Sequence, residues 1–419
     1  MRRALHSRLD RDQLLQNPDF RRFWGSTILT SFGSQITLLA LPLCAVLLLH
    51  ATPGQMGLLV ALESVPFLFF SLPTGVLLDR ARRLPVMMAS DALLATALAS
   101  VPIAWWLGHL TMHWLYAVGF IMGIGAVVGG SAEQIFLTFL VGRDGLVPAR
   151  AKFGTTDLAS RLLGPGLAGV LVQMLGAPFA VLFNVSAFLV SLWNLTRIQA
   201  REPVPVFADE HPLRAIVDGL RFIARHPLLR MLAWTAGAWN LLFGAYMALQ
   251  VLFATRILGM TPGMLGTAQM LGGLGMLAGA LAMTRLSQRF GSGNTILIGL
   301  CASVVAFALV PLIPPALFGS QAATVFAYGV AVFFLDLGAL LFFMPYISLR
   351  QRVTPDAMLG RMTSTMRFLT AASAPVGALL GGAAGGEYGV RFALGGVAAG
   401  GVVLALAMVF GTQLRQVKD

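Results

Sequence analysis

The 419-residue chain is 57% hydrophobic and only 11% charged, with a mean hydropathy of +0.80 and a formal net charge of +12. Soluble domains carry about 25% charged residues, so a water-soluble globular class is excluded. The two cysteines, Cys44 and Cys301, lie in apolar segments and read as small buried residues. His109 and His113 read as a chance pair in a short loop rather than a metal site.

A bilayer core is crossed by about 20 apolar residues at a rise of 1.5 Å each. Twelve such segments are predicted, near 23–49, 55–78, 84–107, 113–137, 156–176, 178–197, 231–256, 263–284, 293–313, 322–347, 363–384 and 389–411. Residues 1–22 are polar and basic ahead of a full-length apolar run, which argues against a cleavable signal peptide. The domain plan is a tail (1–22), a six-helix bundle (23–197), a linker (198–230), a second six-helix bundle (231–411) and a tail (412–419). The expected fold class is therefore an all-α integral membrane protein of 12 transmembrane helices in two pseudo-symmetric bundles.

The basic residues are one-sided. With the first span starting inside, 27 of the 29 Lys and Arg residues fall on the inner side, and only Arg256 and Arg391 fall outside. Basic loops stay cytoplasmic, so both termini are expected in the cytoplasm. The same pattern makes the positive charge a topology signal and argues against a nucleic-acid partner. Arginine outnumbers lysine by 27 to 2, which suits a GC-rich bacterial genome; the expected location is the bacterial cytoplasmic (inner) membrane. In the linker, Arg201-Glu202-Pro203-Val204-Pro205 precedes Leu213, Ile216, Val217, Leu220 and Ile223 at helical spacing. That is an amphipathic helix on the inner membrane surface, with a plain tether as the simpler reading.

The two halves repeat a motif. Thr52-Pro53-Gly54-Gln55-Met56-Gly57 follows span one and Thr261-Pro262-Gly263-Met264-Leu265-Gly266 follows span seven. Gly164-Pro165-Gly166-Leu167-Ala168-Gly169 in span five corresponds to Ala374-Pro375-Val376-Gly377-Ala378-Leu379 in span eleven. Many transporters are built by such duplication. The sequence holds no GxSxG, HExxH, CxxC or phosphate loop, and no soluble segment large enough for a nucleotide-binding domain, so neither an enzyme nor an ATP-driven pump is expected.

Four acids fall inside spans: Glu63, Asp91, Glu133 and Asp336. A carboxylate in hydrocarbon is expensive and functional by default, so all four are proton-coupling candidates. Asp91 and Glu133 have a second reading as wetted or arginine-paired groups. Glu63 and Asp336 have one as satisfied structural hydrogen bonds or contacts to a cationic substrate.

The loop after span two reads Gly75-Val76-Leu77-Leu78-Asp79-Arg80-Ala81-Arg82-Arg83. It is similar to the loop 2–3 signature G-x-L-x-D-R-x-G-R of the major facilitator superfamily, with Arg82 in place of the second glycine. Gly75 would let two helices approach closely, and Asp79 would sit against a helix N-terminus or an arginine such as Arg143. The resemblance implies that Asp79, with Gly75, Arg80 and Arg83 around it, helps latch the two halves on the cytoplasmic side. Asn17 to Trp24, Gly33-Ser34-Gln35-Ile36, Ala40-Leu41-Pro42 and Gly360-Arg361-Met362 resemble the drug:proton antiporter branch that includes siderophore and macrolide exporters.

The span-five Gly164, Pro165 and Gly169 resemble the antiporter motif GPxxGG, with Ala168 at one glycine. Span four, from Tyr116 to Phe136, lacks the arginine that many proton-coupled relatives carry. Spans one, four, seven and ten line the cavity in this superfamily. The cavity candidates are thus Ser31, Gln35, Asn240, Tyr246, Gln250 and Tyr328, each with helix-packing hydrogen bonds as the alternative. The implied function is proton-driven export of a small amphipathic molecule by alternating access, without a cofactor and as a monomer. The alternatives are an uncoupled lysolipid or metabolite carrier and, from another class, a non-transporting receptor or scaffold.

Overall fold

The computed structural model describes residues 13–200, 202, 212–355 and 358–411, which are helical with short connections and contain no strand among the described residues. Ten helices are long and apolar enough to cross a membrane. Two of these, Met112–Leu175 and Pro262–Leu312, are each divided by a glycine at positive φ, Gly142 (66°) and Gly291 (81°), which makes twelve spans. Glycine occupies that left-handed backbone region without a Cβ penalty. The spans are Pro18–Leu48, Pro53–Arg80, Arg83–Trp106, 112–141, 143–175, Ala177–Thr196, Pro227–Ile257, 262–290, 292–312, Gln321–Arg352, Leu359–Glu387 and Val390–Gly411.

The largest departure from the sequence expectation lies between spans four and five. The connection predicted between 137 and 156 is helix on both sides of Gly142. A polar helical extension has no hydropathy signal, so the hydropathy edge marks the bilayer edge rather than the helix end. Spans one and seven share another feature: each ends in a π-helical turn, Cys44–Leu48 and Phe253–Ile257, exactly one repeat apart at 209 residues.

The duplicated motif is explained by its geometry. Thr52 caps span two, accepting from the Gln55 N–H while the Gln55 side chain accepts from the Thr52 N–H. Thr261 caps span eight, accepting from the Met264 N–H. Pro53 and Pro262 occupy the first helical turn, where no N–H is needed. The last glycine of each motif makes a helix crossing between the halves. A Cβ placed on Gly57 would lie 2.5 Å from the Ala378 carbonyl oxygen and 3.0 Å from Gly382 Cα. A Cβ on Gly266 would lie 2.9 Å from Gly169 Cα, and one on Gly169 would lie 2.6 Å from the Pro262 carbonyl oxygen. Span two thus packs on span eleven, and span eight on span five. Small residues at these crossings let the backbones touch, which is how helices associate in lipid. The two Thr-Pro-Gly caps lie at the face opposite the start of span one, the distal face. The other face carries most of the arginines and is called the basic face.

The start of the linker is fastened to the first half. The Glu202 carboxylate accepts from the Arg83 and Leu84 N–H groups at 2.6 Å each, so an anion sits on the N-terminus of span three. Asp19 accepts from the Gln199 and Ala200 N–H groups. Beyond it, the helix Pro212–Arg225 packs on span eleven, where Gly219 leaves room for the Arg361 carbonyl and the Thr365 side chain. Ile223 is buried and Leu220 exposed, so the apolar face described there is shared between protein and surroundings. The side chains of Leu213, Ile216 and Val217 lie outside the described residues.

Candidate substrate cavity

A cavity of about 340 Å³ lies inside the first half, walled by spans one, three, four, five and six. Span one contributes a polar stripe, Ser26, Thr27, Thr30, Ser31, Ser34 and Gln35. Apolar walls come from Phe23, Met87, Leu94, Met122, Phe188 and Leu195. A core of Phe20, Phe23, Leu78, Met87, Phe136 and Leu137 supports it from the basic face.

Three of its carboxylates come from different spans. Asp91 is eight residues into span three, and Glu133 nine residues before Gly142, so both lie roughly 12–14 Å from the basic ends of their helices. Thr27 Oγ1 donates to Glu133 Oε1 at 2.8 Å, and Ser191 Oγ donates to Asp91 Oδ2 at 2.6 Å. Each carboxylate therefore keeps lone pairs available to the cavity. Both acids line the same cavity. The third, Asp157, is bound by Arg161 one turn on, whose Nε lies 3.1 and 3.0 Å from Oδ1 and Oδ2.

The other two candidate acids stand at helix crossings. Glu63 of span two lies against Gly119 of span four, where a Cβ would come 3.1 Å from Glu63 Cγ. Asp336 of span ten lies against Gly272 of span eight. The offset of 209 places Gly272 at the counterpart of Glu63. Each half thus carries one carboxylate at the same crossing, supplied by opposite helices.

Of the cavity candidates, Ser31 and Gln35 line the cavity. Gly164 makes room for Gln35, because a Cβ there would sit 2.5 Å from Gln35 Cβ. Pro165 is buried and the backbone stays helical through it. The second-half candidates do not line this cavity. Tyr246 and Tyr328 are fully buried with their hydroxyls 3.2 Å apart. Asn240 donates to the Ala236 carbonyl at 2.8 Å, and Gln250 contacts Met247 Sδ at 3.2 Å. A buried phenol needs a partner, and each tyrosine supplies the other's, so neither faces open space.

Two further expectations are corrected. Gly75 has open space where its Cβ would be, so it mediates no close helix approach. Cys301 is exposed, whereas Cys44 is buried; span nine turns that residue outward. The Asp79 side chain lies outside the described residues. Arg80 is exposed, and Arg83 serves the Glu202 contact at 3.9 Å.

Sequence reasoning missed Thr27, Ser191, Asp157 and Arg161. The helical spacing of hydroxyls in span one and the i, i+4 pair in span five were the available signals.

Among solved structures, the fold is similar to the nucleoside transporter NupG (D323A mutant), with a TM-score of 0.77, 12% identity and coverage of 94% of this chain and 99% of that one. The twelve spans in two repeated halves are thus arranged as in that structure. Among curated relatives, the enterobactin exporter EntS of Citrobacter koseri is 26% identical over 372 residues, 88% of this chain and 86% of the relative. The multidrug efflux pump Tap of Mycolicibacterium fortuitum is 26% identical over 397 residues, 92% of this chain and 93% of the relative. The profile of the transmembrane secretion effector family matches residues 13–419, and the chain belongs to that family. Its members here are transporters, not enzymes.

Proposed function

We propose that this protein exports a small amphipathic molecule across a bacterial inner membrane by alternating access, in exchange for protons. The observation that carries the reading is the cavity: an acid-bearing, hydroxyl-lined space with apolar walls, inside a bundle made to sit in lipid. Its volume falls within the roughly 300–1,000 Å³ of small-molecule sites. The mixed lining suits a molecule with one polar end and an apolar body rather than a sugar. Relatives named for export of enterobactin and of multiple drugs support the direction. The one-sided arginines support a cytoplasmic basic face and cytoplasmic termini.

In this mechanism, substrate enters the cavity from the basic face and binds beside Asp91 and Glu133. The halves rock about the midplane and release it at the distal face. Proton binding to the intramembrane carboxylates favours the return. Glu63 and Asp336, at the two symmetry-related crossings, are the remaining carriers on offer. The missing span-four arginine has a substitute in Arg161, which brings a cation to the cavity from span five.

The test uses purified protein in liposomes with an imposed pH gradient. Lipophilic cations, macrolides and catecholate siderophores are each added, and proton movement is followed. Substrate-triggered proton flux that falls in Glu133→Gln or Asp91→Asn is the expected result. Exchange of the same compound without a gradient, unchanged in those variants, would favour the uncoupled lysolipid or metabolite carrier.

A further inference from the structure

A second concavity, of about 550 Å³, lies at the distal end of the first half between spans three, four and six, outside the substrate cavity. Its floor is made of the short side chains Ala95, Ala99, Ser100 and Ala104 of span three with the buried Val185 of span six. Its rims are long and exposed, Ile103 and Leu107 of span three and Leu189 of span six. Short residues between long ones leave a trough that opens sideways. At its mouth Trp114 of span four is fixed to span three, its Nε1 donating to Ser100 Oγ at 2.9 Å. His109 is the one titratable side chain among the described residues that line it.

The trough is one leaflet deep. Ala95 is 11 residues from the distal end of span three at Trp106, and Leu189 is 12 residues from the distal start of span six at Ala177, roughly 16–18 Å each. The hydrocarbon of one leaflet is about 15 Å thick. Trp114, two residues past the start of span four, stands at the interface, where tryptophan is favoured. Beside the rims, Trp106 and Val190 are exposed as well, so the trough is continuous with the apolar surface that the bundle turns to lipid.

We infer that this trough is a binding site for one acyl chain of a distal-leaflet phospholipid, with the ester and headgroup region beside His109 and Trp114. A lipid tail is as apolar as leucine, so hydrophobicity alone does not hold it to a helix surface. Shape does: a chain in the trough touches spans three, four and six together, and its dispersion contacts sum. Trp114 is already fixed by its hydrogen bond and loses little freedom when the chain packs on it. No carboxylate or arginine lines the trough to hold the polar end of a transported compound, which favours lipid as the occupant. The chain also backs the substrate cavity, because Leu94 and Phe188 line that cavity while their neighbours Ala95 and Leu189 line the trough. The lipid thus completes the outer wall of the first half.

The test is photo-cross-linking of the full chain in nanodiscs of phosphatidylethanolamine and phosphatidylglycerol. A phosphatidylethanolamine with a diazirine near the middle of one chain is the probe, and labelled residues are mapped by mass spectrometry. Segments 95–107 and 185–189 are expected to be labelled several-fold more than Val305 and Leu309, exposed residues in the distal part of span nine. Ala99→Phe and Thr96→Leu, which fill the trough, are expected to cut that labelling several-fold. Thr96 bonds only to the Ala92 carbonyl of its own helix, so its replacement leaves the packing intact. Val190→Phe, outside the trough, is expected to label like the parent. Labelling spread evenly over exposed apolar residues, or unchanged in both filled variants as monodisperse protein, would overturn the site. Displacement of the probe by a transported compound but not by unlabelled phospholipid would reassign the trough to substrate and overturn it equally.

Discussion

The two halves share a plan and differ in what fills it. Span one and its π turn, Pro18–Leu43 and Cys44–Leu48, recur 209 residues on as Pro227–Leu252 and Phe253–Ile257. Span four starts at Met112 and span ten at Gln321, again 209 apart. At that offset Thr30 of the first half corresponds to Trp239, Ser34 to Phe243, and Glu133 to Phe342. In the first half those positions line a polar cavity. In the second, Trp239 stacks on Phe243 with ring centroids 4.8 Å apart, and Phe342 stacks on Tyr346 at 5.9 Å. Duplication therefore supplied two equal scaffolds, and side-chain replacement put the acid-and-hydroxyl chemistry in one and aromatic packing in the other. The first half holds an acid-bearing cavity and the second a packed aromatic interior.

The largest expected effect would break this asymmetry if it failed. Glu133→Gln should reduce gradient-driven efflux about tenfold or more, since a functional contact of ~1.4 kcal/mol is a factor of ten. Phe342→Leu, at the corresponding position, should lower thermal stability while a pH gradient still drives transport. Equal loss of coupling in both would mean that the interiors are functionally equivalent.

The crossings between halves come next. Gly57→Val and Gly266→Val each put side-chain atoms where backbone of the other half lies, an overpacking cost of ~1–3 kcal/mol for the distal-closed form. Both should raise labelling of distal-face cysteines to a similar extent, because the two contacts are related by the duplication. A response from only one would show that the halves do not share the load.

A smaller effect tests the packed character of the second half. Tyr246→Phe leaves the Tyr328 hydroxyl buried without its partner, at a cost of ~1–3 kcal/mol, whereas the double Phe variant should recover most of that loss. Denaturation of the four proteins gives the cycle. Additive losses would show that the two hydroxyls do not depend on each other. The smallest effect is expected at Gly75→Ala, where the space is open, with stability changing within about 0.5 kcal/mol.

The architecture was legible because lipid imposes a simple code. Long apolar runs, arginines on one side and a motif repeated at a fixed offset determine twelve spans and two halves without any knowledge of packing. The motif showed the duplication, but only the structure shows that its last glycine meets the other half. The site was less legible. Four intramembrane acids stood out, but a single sequence does not show that Asp91 and Glu133 share one cavity while Glu63 and Asp336 stand at helix crossings. That depends on the rotation of each helix, set by contacts such as Gly164 on Gln35 and Gly272 on Asp336. Tyr246 and Tyr328 failed as cavity residues for the same reason, because two polar tips on different spans satisfy each other when the helices bring them together. Arg161 was hidden among the topology-setting arginines, and only the structure shows it bound to Asp157 beside the cavity.

The most direct measurement is efflux of one transported compound from liposomes as the pH gradient is varied, comparing the parent with Glu133→Gln. The account predicts efflux that rises with the gradient in the parent and loses that dependence in the variant, with the compound still bound. Efflux that ignores the gradient in the parent, or that follows it equally in the variant, would contradict an acid-bearing cavity in the first half as the seat of coupling.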